Sequence, residues 1–237
     1  MNLQSITMFA TAAFLLSPAA LAETRNFDLP GFDEVHVSSG ITAEIIVGGD
    51  QSVVVEAEDD DDFDELEVSV RNGKLRIELE RSFFESLRDW FSEGPRLTAR
   101  VSVPALTELE ASSGADVDAS GMSGQYLVVG ASSGAHLTID EVRGEDVSAS
   151  ASSGASLDAA GTCGRIDANV SSGGHLNLAR LECEDVRVDA SSGGQAEVFA
   201  SVSIDANASS GGDVDVAGGP ADIEIDTSSG GDIDINN

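Results

Sequence analysis

The chain of 237 residues carries 43 Asp and Glu against 12 Lys and Arg. The resulting formal charge of −31 repels phosphate backbones and anionic lipid head groups, which excludes nucleic acid as a ligand. Hydrophobic residues make up 41% but aromatics only 5%, so the core must be built from small aliphatic side chains, and a large aromatic-lined cavity is not expected.

Residues 6–22 form an apolar stretch that ends in Ala20-Leu21-Ala22 and turns polar at Glu23. This reads as a signal peptide over 1–22, cleaved between Ala22 and Glu23, although the opening Met1 to Ser5 lacks the usual Lys or Arg. A membrane anchor is the alternative, but the uninterrupted run is shorter than the ~20 residues a spanning helix needs, and Pro18 lies inside it. An exported protein with no membrane insertion after signal removal is therefore expected, in the periplasm or at the bacterial cell surface.

Residues 23–104 are expected to be β-rich and irregular. Val35-His36-Val37 leads into Ser38-Ser39-Gly40, and Ile45-Ile46-Val47 and Val53-Val54-Val55 read as further strands. Two alternating runs over 66–70 and 74–79 flank Asn72-Gly73, a strong hairpin signal. The acidic run 58–62 reads as a solvated loop, because it lacks the spaced oxygen ligands and turn glycine of a calcium-binding EF-hand. A short amphipathic helix is predicted over 82–93. Ser82 with Glu85 forms a capping box, Phe83, Leu87, Trp90 and Phe91 share a face, and Gly94-Pro95 terminates it. It could dock a partner or a membrane surface, or cover the end of the β-structure; the covering role is the expectation.

From 105 to 237 the tripeptide Ser-Ser-Gly recurs, with glycines at Gly114, Gly134, Gly154, Gly173, Gly193, Gly211 and Gly230, spaced by 18 to 20 residues. Periods near 20 signal a solenoid. Around each glycine the odd offsets −7, −5, −3, +3 and +5 are apolar throughout except at Thr107 and Thr227, while the even offsets −6, −4, +2 and +4 are polar except at Val128 and Gly130. Two half-buried strands therefore flank each corner. One repeat cannot bury its apolar face alone, so successive copies stack in parallel about 4.8 Å apart. The predicted fold is an all-β, right-handed parallel β-helix, continuous with the N-terminal region as one solenoid domain. At the corner, Ser113, Ser133, Ser153, Ser172, Ser192, Ser210 and Ser229 are predicted to point inward beside small residues such as Ala115 and Gly174. Nucleophilic catalysis by these serines is not expected, since no histidine column accompanies them.

Cys163 and Cys183 each lie ten residues before a corner glycine, hence in one column on adjacent coils, within disulfide reach. An exported chain should oxidise them, whereas a metal pair would need further ligands.

No catalytic, cofactor or strong metal site is predicted. Polysaccharide-active β-helix enzymes cluster carboxylates with a base, but the even-offset columns here hold 15 acids and one base, Arg187, with no unique cluster. For divalent cations the candidates are Asp213, Asp215, Asp232 and Asp234, which stack with the pair Asp116 and Asp118 on one outward face. Gln195, His136, Ser156 and His175 interrupt that column, so calcium is expected to bind no more than loosely. By elimination, the rigid acidic rod is expected to be a non-enzymatic interaction protein whose partner is a cell-surface glycan or a protein; a polysaccharide-active enzyme and a divalent-cation-binding structural protein remain the alternatives. Near the last inward residue, Ile235, no covering helix follows, and the acids at 222, 224, 226, 232 and 234 are expected to keep the molecule a monomer.

The segments F-D-L-P-G-F-D-E-V-H-V-S-S-G-I at 27–41, N-G-K-L-R-I at 72–77 and V-S-V-P-A-L-T-E-L-E-A-S-S-G-A at 101–115, followed by the Ser-Ser-Gly repeats, resemble in that order the auto-transporter adhesin, head GIN domain family of exported bacterial proteins. The resemblance spans the mature chain. It implies a right-handed β-helix and an adhesive role, and it brings no catalytic residues; the aromatic segment 83–91 departs from the family pattern.

Overall fold

The structure is a computed structural model that describes residues 23–58, 60–80 and 97–236. The predicted leader 1–22 and the predicted helix 82–93 lie outside the described residues. Among the described residues no helix is long and apolar enough to cross a membrane.

The chain forms a parallel β-helix of about 6 turns. Its N-terminal part contains β1 (Glu23–Phe27), β2 (Glu34–Val37), β3 (Thr42–Val47), β4 (Ser52–Ala57), a short 3-10 helix (Asp60–Glu65), β5 (Leu66–Arg71), β6 (Lys74–Leu79) and β7 (Leu97–Val103). The coils proper follow as β8 (Glu108–Ala111), β9 (Asp116–Ser120), β10 (Ser123–Ala131), β11 (His136–Ser152), β12 (Ser156–Ser171), β13 (His175–Ser191), β14 (Gln195–Ser209), β15 (Asp213–Ala217), β16 (Asp222–Ser228) and β17 (Asp232–Ile235).

Each coil has one tight corner with a flat face on either side. The face preceding the corner stacks β6, β2, β8, β10, then the second halves of β11 to β14, and β16, all in parallel. The face following it stacks β7, β3, β9, the first halves of β11 to β14, then β15 and β17. At the N-terminal end both faces finish with antiparallel strands. The hairpin β5–β6 closes one, and β4 with β1 closes the other. Asn72 and Gly73 take φ of 55° and 84°, the type I′ geometry that makes Asn-Gly a hairpin turn.

The corner chemistry follows from two consecutive left-handed residues. The second serine of each copy has φ between 51° and 55° and the glycine between 69° and 80°. The residue after the glycine then donates its N–H back to the first serine's carbonyl, as Ala115 does to Ser112 at 3.1 Å, which completes a type I′ turn. The glycine N–H reaches the next coil instead: Gly114 donates to Ser133 O at 3.1 Å, and Gly40 to Ser113 O at 3.0 Å. Ser39-Gly40 is thus the first corner of the stack. This turn overturns one expectation. Ser113, Ser133, Ser153, Ser172, Ser192, Ser210 and Ser229 are exposed rather than inward, because the left-handed step ends the strand's alternation one residue early.

Inside, the odd offsets form aliphatic ladders. Leu137, Leu157 and Leu176 stand in register and are essentially inaccessible, each worth about 1.5–3 kcal/mol of burial. The last coil differs, with Ile223 and Ile225 at 47% and 42% exposure. The acidic run also differs from expectation. Rather than a plain loop, it leads into the 3-10 helix that buries Phe63, whose ring lies 4.0 Å beneath the Arg25 guanidinium.

Cys163 and Cys183 pair across β12 and β13 with Cα atoms 4.5 Å apart, and they are joined by a disulfide.

Candidate functional site

Because strand side chains alternate, every coil presents its even-offset residues outward at a spacing fixed by the ladder. On the face preceding the corner, the few cations of this acidic chain are threaded between acids of neighbouring coils. Arg165 lies 3.4 Å from Asp146 and 4.0 Å from Asp185, and Arg187 lies 2.8 Å from Asp205 and 3.5 Å from Asp189. Ser203 donates to Asp185 at 2.7 Å. Arg165, Asp185, Arg187, Ser203 and Asp205 line a shallow groove of about 350 Å³ with Val186.

Lower on the same face, β6, β2 and β8 bring together a denser cluster. The Lys74 ammonium binds Glu108, reaches Glu110 at 3.2 Å and stands 3.6 Å from Glu34. Glu110 also meets His36 Nδ1 at 3.3 Å, and His36 Nε2 meets the Ser112 hydroxyl at 3.1 Å. The strand register makes this possible: His36 lies directly beside Glu110 on β8, while Lys74 lies beside Glu34. The Glu108 hydrogen bond raises the Lys74 pKa, with Glu110 adding to it against the opposing effect of burial. At Glu110 burial pushes the pKa up, but the Lys74 hydrogen bond and charge, with help from His36, outweigh it and hold the carboxyl below its ordinary range. Beside the cluster is a groove of about 580 Å³, lined by Glu34, Glu67, Arg71, Asn72, Lys74, Arg76 and Glu78.

A larger groove of about 730 Å³ lies on the far side of the coils, over Gly124, Gly144, Gly164 and Cys163. Its charged groups Arg143, Glu145 and Glu184 form no hydrogen bond or ion pair with one another, so the denser cluster is the better candidate site.

The predicted metal candidates do not converge. Asp213 stands beside Asp232 and Asp215 beside Asp234, but parallel side chains on a flat sheet point the same way rather than toward a common centre. Four coils separate them from Asp116 and Asp118. Among the described residues no group of three or more His, Cys, Asp or Glu is placed to hold a metal ion.

The repeat pattern alone does not reveal the His36–Glu110–Ser112 contact, because His36 precedes the repeats and Ser112 is the first, not the second, serine of its corner. The signal was present. His36 stands four residues before Gly40 as Glu110 stands four before Gly114, so the two share a column once Gly40 is accepted as a corner.

A family profile described as "Putative auto-transporter adhesin, head GIN domain" matches residues 31–220. Among solved structures, a putative adhesin from Bacteroides fragilis aligns with a TM-score of 0.76 at 15% identity, covering 92% of this chain and 99% of its own. A putative lipid binding protein from Parabacteroides distasonis aligns at 0.69 and 17% identity, with 91% and 97% covered. A putative adhesin from Parabacteroides merdae aligns at 0.64 and 12%, with 91% and 96% covered. At these identities the likeness is one of fold. No curated sequence matches this chain.

Proposed function

Because the chain belongs to the auto-transporter adhesin, head GIN domain family, we propose that it is an exported, adhesin-like interaction protein that binds its partner through the outward face preceding the corner. The observation that carries this reading is the ladder of Asp146, Arg165, Asp185, Ser203, Arg187 and Asp205, fixed in register and paired across coils. Such a surface offers donors and acceptors at regular intervals without having to order them first, which favours a repetitive polar ligand. A cell-surface glycan fits that description, and a polar protein surface is the second form the partner could take. The role asks for adhesion rather than turnover, and it suits a monomer delivered to the periplasm or cell surface by the leader 1–22.

The test is a glycan array probed with the full chain after leader removal, with and without calcium, alongside a saccharide depolymerisation assay. Retention of a polar glycan that falls at least about tenfold in Arg165→Ala/Arg187→Ala supports the reading. Depolymerisation, or glycan retention indifferent to that double substitution, overturns it.

A further inference from the structure

We propose that Ser112 is an activated nucleophile that cleaves small acyl esters, with His36 as its general base and Glu110 as the residue that positions the imidazole. This activity goes beyond the adhesive role and does not rest on it.

The hydrogen bonds run in the order the chemistry requires. An ionised carboxylate can only accept, so the Glu110 contact at 3.3 Å assigns the proton to His36 Nδ1. Nε2 is then left with a free lone pair, and its partner at 3.1 Å is the Ser112 hydroxyl. The Lys74 ammonium at 3.2 Å keeps Glu110 ionised, and the His36 side chain is only 20% exposed, so water competes little for either nitrogen. Left-handed Ser113 and Gly114, with φ of 53° and 76°, reverse the chain immediately after Ser112 and set its hydroxyl at the rim of the sheet. This is the logic of a serine activated by a base that a third group orients.

Ser112 is singular among the corners. In the place that His36 holds beside Ser112, the first serines of the later corners have Glu110, Gly130, Ser150, Asn169, Asp189 and Asn207, none of them an imidazole. Arg76 stands in register with His36 on the opposite side of β2 from Ser112, lines the adjoining groove and forms no ion pair among the described residues, so its guanidinium is available to an anionic group carried by the ester. The side chains around Ser112 on this face, His36, Glu110, Lys74 and Glu108, are all polar or charged, which gives a long acyl chain no apolar surface and restricts the substrate to short acyl groups.

In the reaction, Ser112 Oγ forms a bond to the carbonyl carbon as its proton passes to His36 Nε2. The carbon–oxygen bond to the alcohol then breaks, and the proton leaves with the alkoxide as the free alcohol. Water, deprotonated by the same nitrogen, attacks the acyl-serine, releases the carboxylic acid and restores the Ser112 hydroxyl.

The experiment treats the full chain with a fluorophosphonate probe, maps the adduct by peptide mass spectrometry, and follows hydrolysis of p-nitrophenyl acetate and p-nitrophenyl palmitate. The first serines of the other corners, such as Ser132 and Ser152, are internal controls. The expected result is one adduct, at Ser112, formed at least about tenfold faster than at those controls, with the acetate cleaved in preference to the palmitate. Ser112→Ala and His36→Asn should each lower acetate hydrolysis at least about tenfold, and Glu110→Gln should lower it while Glu110→Asp restores part of the rate. All three side chains face outward, and thermal melting checks that each variant is folded. Adducts spread evenly over the corner serines, no adduct, or a Ser112→Ala variant with undiminished hydrolysis would overturn the proposal.

Discussion

Leu157 lies between Leu137 and Leu176 in a ladder sealed from solvent, so a carboxylate there would have neither water nor a cation to answer it. Leu157→Asp should therefore cost about 3–5 kcal/mol, and a thermal midpoint equal to that of the parent would contradict the assigned register. Outward residues obey a different rule, and Lys74 shows it. It is the single cation among Glu34, Glu108 and Glu110, so Lys74→Met should lower stability at neutral pH by about 1–3 kcal/mol. The sign with pH follows from the shifts. Glu110, held low, contributes fully above the ordinary glutamate value of about 4.3 and loses that contribution as pH falls through its own lower value. Lys74, held high, contributes fully below about 10.4 and loses its contribution only as pH rises past that. Urea unfolding should thus show the largest gap between parent and variant from about pH 5 to 10, narrowing toward pH 3; a gap independent of pH would contradict the pairing.

At the scale of the element, the corner decides how coils approach. After the corner glycine comes alanine at 115, 135 and 155 but glycine at 174, 194 and 212. A Cβ at Gly212 would lie 2.4 Å from Ala190 O and one at Gly174 2.7 Å from Ala151 O, so the backbones there touch where the alanine coils leave room for a methyl. Gly212→Ala should accordingly cost about 1–3 kcal/mol by denaturant titration, whereas Ala135→Gly, which strains nothing, should cost about 1 kcal/mol or less. These elements also show what the sequence could reveal. The alternation around each Ser-Ser-Gly identified the inward ladders residue by residue, because a strand's period is insensitive to its neighbours. The second serine escaped that reading because a turn's φ angles break the period without changing the residue type. The candidate site escaped for a topological reason. His36 and Ser112 are 76 residues apart, and only the order β6, β2, β8, with β3, β4 and β7 carried to the other face, makes them adjacent. Lys74 enters the cluster from a hairpin strand outside the repeat, so no count of the repeat could have found it.

For the whole molecule, the dominant long-range force is self-repulsion. With a charge of −31, folding concentrates like charges on the outward columns, so added salt should raise the melting temperature as screening shortens the Debye length from about 30 Å at 0.01 M to about 10 Å at 0.1 M. Sodium and calcium chloride at equal ionic strength should act alike, since the aspartates do not converge; an excess calcium effect that disappears in Asp213→Asn/Asp232→Asn would overturn that expectation.

The single covalent bond between neighbouring coils carries a mechanical consequence. In a parallel β-helix the ladder hydrogen bonds lie along the rod, so a pull on its two ends loads them coil by coil, as in peeling, rather than all at once in shear. Each freed coil of 18 to 20 residues should release about 60–70 Å of chain as a separate event on a force–extension trace. The bond between Cys163 and Cys183 closes a loop spanning a sequence separation of 20, so that stretch cannot contribute its length until it is reduced. An oxidised rod under tension would therefore lengthen in steps and fall short of full extension by one coil, which a reductant would restore.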